Sequence, residues 1–281
     1  MNEIIEVQQG EMLQALNRSE IDIQIATAKR YPRDINKALS LIERYATMDN
    51  ETAMSCFYKL HRGNSDIEGV SVRLAEIIAS CWGNLRVQTR IIGNDGKTIT
   101  AQGICHDLET NLATSVEVKR RITDKFGRTF SEDMQVVTGN AASAIAYRNA
   151  VLKVVPKAIT KTIINKVREA AMRQPVDDME GCRNRMVAAF AKMGVTEDML
   201  LRYLEIDHIE AVDKQMLFDL KATMNAIKEG TTTVEETFIK PMQETNEAQK
   251  AKAKAEEMQK KVTAAQKRNA NLKTVNDKKE K

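Results

Sequence analysis

Cysteine is scarce in this chain, and its spacing pairs none of it. Cys56, Cys81, Cys105 and Cys182 are widely scattered and form no C-x-x-C motif. This excludes zinc-ribbon and thioredoxin-like patterns and predicts four reduced, mostly buried thiols. Only three histidines occur (His61, His106, His208), and none has metal-ligand spacing. No metal or other cofactor is expected. Aromatics make up 4% of the residues, which limits base-stacking surfaces. No apolar run reaches the roughly twenty residues that a membrane span needs. The first residues, MNEIIEVQQGEMLQ, are acidic and amphipathic, whereas a secretory signal starts basic and apolar, so the expected location is the cytoplasm. No G-x-x-x-x-G-K-[ST] loop is present to hold a nucleotide triphosphate.

What the chain does have is concentrated basic charge. Between Glu117 and Arg173 there are twelve Lys and Arg against five acids, a local balance of +7 beside +4 for the whole chain. The bases are threaded through apolar residues and therefore belong to a folded surface. A folded basic face points to a polyanion, most often nucleic acid. From Pro241 onward, eleven bases face six acids with almost no apolar payload, which reads as a disordered tail or a lone solvated helix. The remaining segments carry a net −8, so charge is segregated along the chain.

Periodicity divides the chain into a polar helical leader (1–30), an α+β core (31–174), a small helical module (182–240) and the tail (241–281). Ile35, Leu39 and Ile42 repeat at helical spacing behind Asp34, a cap candidate. Asp49 or Asn50 is expected to cap a second helix carrying Met54, Phe57, Tyr58 and Leu60 and ending at Gly63-Asn64. A third spans Ser71 to Trp82, with Val72, Ala75, Ile78 and Ala79 as its buried stripe and Gly83-Asn84 as its stop. The period then changes to two. Leu85, Val87 and Thr89 alternate with Arg86, Gln88 and Arg90, Asn94-Asp95-Gly96 is a hairpin turn, and strands follow at 98–106 and 112–122. This predicts a small antiparallel three-stranded meander with helices on one face.

Beyond the Gly127 turn, Ser131 caps a helix with Gly139 as a candidate kink, and Pro156 opens another running to about Arg173. In that helix Ile159, Ile163 and Val167 form one stripe, while Lys157, Lys161 and Arg168 lie on another. The plain reading of those lysines is a solvated face; continuity with Lys119-Arg120-Arg121 favours an anion-facing surface. Gln174-Pro175 to Gly181 reads as a linker. The helices of the module carry Met186 and Phe190, then Leu200 and Leu204 behind Thr196, then Met216, Leu220 and Met224.

Three ordered segments carry a resemblance. The first is Gly69-Val70-Ser71-Val72-Arg73-Leu74-Ala75-Glu76, closing on Cys81-Trp82-Gly83-Asn84. The second is Asp107-Leu108-Glu109-Thr110-Asn111 before a basic strand, then Gly139-Asn140-Ala141-Ala142, Ala146-Tyr147-Arg148-Asn149-Ala150 and Val154-Val155-Pro156. The third closes the helical module at Gly230-Thr231-Thr232-Thr233-Val234-Glu235-Glu236-Thr237-Phe238. In this order, over about residues 35–238, the chain resembles phage and prophage single-strand annealing proteins of the broad RecT, Red-beta and Erf type.

The resemblance implies a non-enzymatic protein that binds single-stranded DNA in a basic groove and anneals complementary strands in recombination without ATP. It also implies a homo-oligomeric ring or filament and a phage exonuclease as partner. The binding residues would be Arg73, Lys119, Arg120, Arg121, Lys125, Arg128, Arg148, Lys153, Lys157 and Lys161. Such a task needs phosphate neutralisation while bases stay free to pair.

Plainer roles stand beside these. Tyr147 is a stacking candidate or core. Arg73 faces phosphate or pairs with Glu76 at i, i+3. Asp107, Glu109 and Asn111 form a turn, or two carboxylates share a divalent cation. The alternatives in other classes are a metal-dependent nuclease using Asp107 and Glu109, and a phage assembly or scaffold protein. Cys105-His106-Asp107 is a poor dyad because neighbours on a strand point to opposite faces.

Overall fold

The computed structural model describes residues 2–62, 65–124, 126–173 and 178–241. The first helix, α1, spans Asn2–Arg30, and Pro32 follows it. Helix α2 (Ile35–Ala46) starts at Asp34, whose carboxylate accepts from the Lys37 N–H, and buries Ala38, Ile42 and Ala46. Asp49 caps α3 in the same way, but α3 is only Asn50–Ser55.

A strand follows where the sequence predicts a continued helix, and a second strand pairs with it. β1 (Phe57–Arg62) and β2 (Ser65–Val70) pair antiparallel from Phe57↔Val70 to Arg62↔Ser65. The apolar spacing at Met54, Phe57, Tyr58 and Leu60 suits either period over so short a run. The aromatic preference of Phe57 and Tyr58, and antiparallel pairing with the strand that begins three residues later, decide for strand. Gly63-Asn64, the expected helix end, lies outside the described residues.

Helix α4 (Val72–Trp82) is capped by Ser71 and stopped by Gly83 at φ +78°, as expected. Its buried stripe is Leu74, Ala75, Ile78 and Trp82; Val72 and Ala79 are half-buried. The meander is present as β3 (Leu85–Asn94), β4 (Thr98–Asp107) and β5 (Leu112–Arg121), in the order β3-β4-β5. Gly96 (φ +78°) and Asn111 (φ +57°) take the left-handed turn positions.

Helix α5 (Glu132–Val154), capped by Ser131, lies across one face of this sheet. It passes unbroken through Gly139, where the missing side chain makes room for Ile99 and Ile91 instead of producing a kink. At Gly103 a Cβ would collide with the Ala146 carbonyl, so glycine sets the close approach of α5 to β4. Helix α6 (Lys157–Arg173) begins after Pro156 and buries Thr160, Ile163, Val167 and Ala171 against α2 and α3.

The C-terminal helices are α7 (Met179–Ala191), α8 (Glu197–Leu204) and α9 (Lys214–Lys228), with a 3-10 turn at Ile209–Ala211 and a π-turn at Glu235–Ile239. Asp178 caps α7, so Gly181 sits in its first turn and not in a linker; residues 174–177 and the tail from 242 lie outside the described residues. One core gathers α2, α4, α5, α6 and the β1–β2 hairpin; a second gathers Phe190, Val195, Leu200, Leu220, Met224 and Phe238. Helix α9 serves both. Phe218 and Ala222 enter the first core, with Phe218 against Phe57 at 5.3 Å, while Leu220 and Met224 enter the second. The chain is α+β, with a three-stranded antiparallel sheet packed by helices and further helices in its C-terminal part.

Candidate nucleic-acid interface

Strand alternation sorts the basic residues before any contact does. On β4 the odd positions Ile99, Ala101, Gly103 and Cys105 face α5 and are buried. The register Ile99↔Arg120, Ala101↔Val118 and Cys105↔Val87 puts Arg120, Val118 and Val87 on that same face. The opposite face carries Arg86, Gln88 and Arg90 from β3, Gln102, Ile104 and His106 from β4, and Ser115, Glu117, Lys119 and Arg121 from β5. Consecutive Lys119-Arg120-Arg121 is therefore divided. Lys119 and Arg121 are exposed on the open face, while Arg120 is half-buried under the helices. Burial pulls the Arg120 pKa below its ordinary value, partly offset by Glu236.

The open face is polar and predominantly cationic. Arg90 donates from Nε to Gln102 Oε1 at 2.8 Å, and Arg86 donates to Gln24 Oε1 of α1 at 3.0 Å with Glu20 at 3.8 Å. Lys119 and Arg121 make no ion pair among the described residues; Glu117 is the acid between them and Ser115. At the hairpin end, Asp95 is held down to about 2 by the N–H groups of Thr98 and Lys97 and by the Thr98 hydroxyl. Arg128 lies at this end too, where Thr129 donates to the Gly96 carbonyl. Its guanidinium pairs with Asp124 at 3.0 Å and stands 5.4 Å from the Phe126 ring. Phe126 is 72% exposed. Lys125 lies outside the described residues.

The other expected residues lie elsewhere. Lys153 is exposed in the last turn of α5, and Lys157 and Lys161 are exposed on α6. Gly139 of α5 abuts Ile99, near Lys119, so Lys153 lies roughly 20 Å further along the helix and behind the sheet. The structure does not bring these lysines to the face that carries Lys119 and Arg121. Arg148 is buried, 6% exposed, with its guanidinium 4.7 Å from the Tyr58 ring and 3.7 Å from Glu229. Burial raises the Glu229 carboxyl, while the Val72 N–H (3.0 Å) and Arg148 act against that rise. Arg73 pairs with Glu76 at 3.3 Å within its own helix. Tyr147 is half-buried against the main core. A scan of family models finds no match, and neither a curated protein nor a solved structure matches the chain.

The acidic turn after β4 is occupied by the protein's own cation. Arg33 donates from Nη1 and Nη2 to the two Asp107 oxygens at 2.7 and 2.8 Å, and from Nε to Glu109 at 3.1 Å. Its guanidinium also lies 4.8 Å from the Trp82 ring, and Asn84 donates to Glu109 at 2.6 Å. Burial alone would raise Asp107. Hydrogen bonds from Arg33 and from the Thr110 and Glu109 N–H groups outweigh it, so the carboxyl sits below its usual value. Among the described residues no group of three or more His, Cys, Asp or Glu is placed to hold a metal ion. Cys105 faces α5 while His106 faces outward to Asn111 at 2.9 Å. All four cysteines are free, and burial pushes Cys56 and Cys105 up to about 12.

Arg33, Arg86, Arg90 and Phe126 were missed by sequence reasoning. The alternation that marked Arg86 and Arg90 as one face of a strand was already visible. Nothing local announced that Arg33 would meet a turn more than seventy residues away.

Proposed function

We propose that this chain binds single-stranded nucleic acid on the open face of the β3-β4-β5 sheet and brings complementary strands together without nucleotide hydrolysis. The observation that carries the reading is the sheet face that α5 does not cover, with Arg90, Lys119 and Arg121 exposed on it. Lys119 and Arg121 are ~7 Å apart along β5, and β3 lies ~10 Å from β5, so the cations form a narrow band. Long cationic side chains on a flat sheet neutralise phosphates without a pocket that fixes base identity. The exposed Phe126 ring beside Arg128 adds one sequence-tolerant stacking platform. Two strands neutralised on neighbouring surfaces repel each other less and meet at higher local concentration. The ordered resemblance to annealing proteins agrees with this chemistry.

The test is strand pairing in low salt, with a fluorophore on one oligonucleotide and a quencher on its complement, and no ATP. Pairing faster than in buffer supports the proposal. Binding without acceleration removes annealing, and strand cleavage on adding a divalent cation replaces it with nuclease chemistry.

A further inference from the structure

A cavity of about 430 Å³ lies beside α9, where the two cores meet. Ala171 and Phe218 of the first core form part of its wall, and Met186 and Met224 on the side of the second form another part. The wall is mostly apolar, and its methionines can adapt to the shape of a guest. Its charged part is cationic: Arg185, Lys214 and Lys221 line it, against Glu51 as the one acid among the described lining residues. Lys214 is fixed by the Met172 carbonyl at 2.5 Å. The other two cations have distant, solvated partners. Lys221, only 21% exposed, has its ammonium 3.5 Å from a Glu51 carboxylate that is 82% exposed. Arg185 stands 3.4 Å from the exposed Asp178 and donates to Cys182 Sγ at 3.1 Å. Such pairs contribute little, so an anion meeting these heads at closer range has little to displace. Asn50 Oδ1, in the same wall, is buried and has no hydrogen-bond partner among the described residues.

We propose that this cavity binds a small amphipathic carboxylate, with its apolar chain against Met54, Met186 and Leu217 and its head at Lys221 and Arg185. Charge chooses the ligand. A cationic amphiphile would meet three like charges, and a neutral one would leave Lys221 with its distant partner. A carboxylate answers the cations and brings bound water, an O–H donor, for Asn50. A nucleotide fits poorly, because Phe218 is the one ring among the described lining residues and it is already packed on Phe57 at 5.3 Å. A guest that touches both cores stabilises the fold as a whole. The binding does not rest on the nucleic-acid reading, and it is tested without nucleic acid.

Decanoate below its micelle concentration is the probe, with decanol and decyltrimethylammonium as the neutral and cationic controls. Two quantities are followed on the full chain: the thermal midpoint, and the rate at which iodoacetamide alkylates Cys182, read by peptide mass spectrometry. Cys182 lines the cavity and Cys81 does not, so Cys81 is the internal reference. Decanoate is expected to slow alkylation of Cys182 alone and to raise the midpoint, with both controls clearly weaker. The double variant Arg185→Met and Lys221→Met, which keeps the apolar stems, should bind decanoate about tenfold more weakly and decanol as the wild type does. The comparison of the three ligands on the wild type stands even if that variant folds poorly. An unprotected Cys182, protection by decanol equal to that by decanoate, equal slowing at Cys81, or a folded double variant with undiminished decanoate affinity each overturns the proposal.

Discussion

Arg33 answers two carboxylates and an aromatic ring at once, with a side chain only 9% exposed. Removing it leaves Asp107 and Glu109 without their cation in a poorly hydrated corner. Arg33→Met, which keeps most of the stem, is expected to cost about 3–5 kcal/mol at neutral pH. The pH dependence has a definite sign. Asp107 is held below its ordinary pKa in the fold, so its stabilisation is complete above the unfolded carboxylate value of ~3.9 and is lost as pH falls through the folded value. The gap between wild type and variant in urea midpoints should therefore narrow in that acid range. A gap of constant size would mean that Arg33 acts through packing on Trp82. The sequence showed the acidic turn and even its Asn111 corner, but a guanidinium arriving from before α2 is a tertiary event with no local trace.

At the scale of elements, period was the reliable signal and length the unreliable one. Ten-residue strands with clean alternation and an Asn-Asp-Gly turn were readable, and so was the break at Pro156. The β1–β2 hairpin was not, because six residues hold too little pattern to separate a period of 2 from one of 3.6, and a capped turn of helix immediately precedes them. The same alternation settles the basic run, since any three neighbours on a strand must face two ways. Arg121→Ala is thus expected to weaken oligonucleotide affinity, while Arg120→Ala acts on packing near Glu236 and Gly230; anisotropy titration set against the thermal midpoint separates the two.

Gly103 makes the complementary case for helix-on-sheet packing. Gly103→Ala forces a methyl into the Ala146 carbonyl and should destabilise by about 1–3 kcal/mol, read as a lower denaturant midpoint. An unaffected midpoint would mean that α5 can ride higher on the sheet at no cost.

For the whole molecule, the basic segment that looked continuous in sequence is distributed over an open sheet face, a buried pair and a separate helix surface. This division gives a comparison internal to the chain. Replacing Arg90, Lys119 and Arg121 with Ala should lower affinity for unrelated oligonucleotides alike and flatten the log–log salt slope by about 2, at roughly 0.7 per lost phosphate contact. Replacing Lys153, Lys157 and Lys161 should leave that slope nearly as it was; the reverse result would move the strand to α6. Removing the residues after Pro241, where the sequence offers almost no apolar side chains, should not move the thermal midpoint.

Helix α9 is a party wall between two rooms. Phe218 belongs to one side and Leu220 to the other, Lys59 of β1 holds Asp219 at 2.7 Å, and Asn225 donates to the Phe57 carbonyl at 2.9 Å. Neither side can melt and leave that wall standing for the other. A calorimetric scan should consequently show one heat-absorption peak whose van't Hoff and calorimetric enthalpies agree. Proteolysis should find no resistant fragment that ends between α6 and α9.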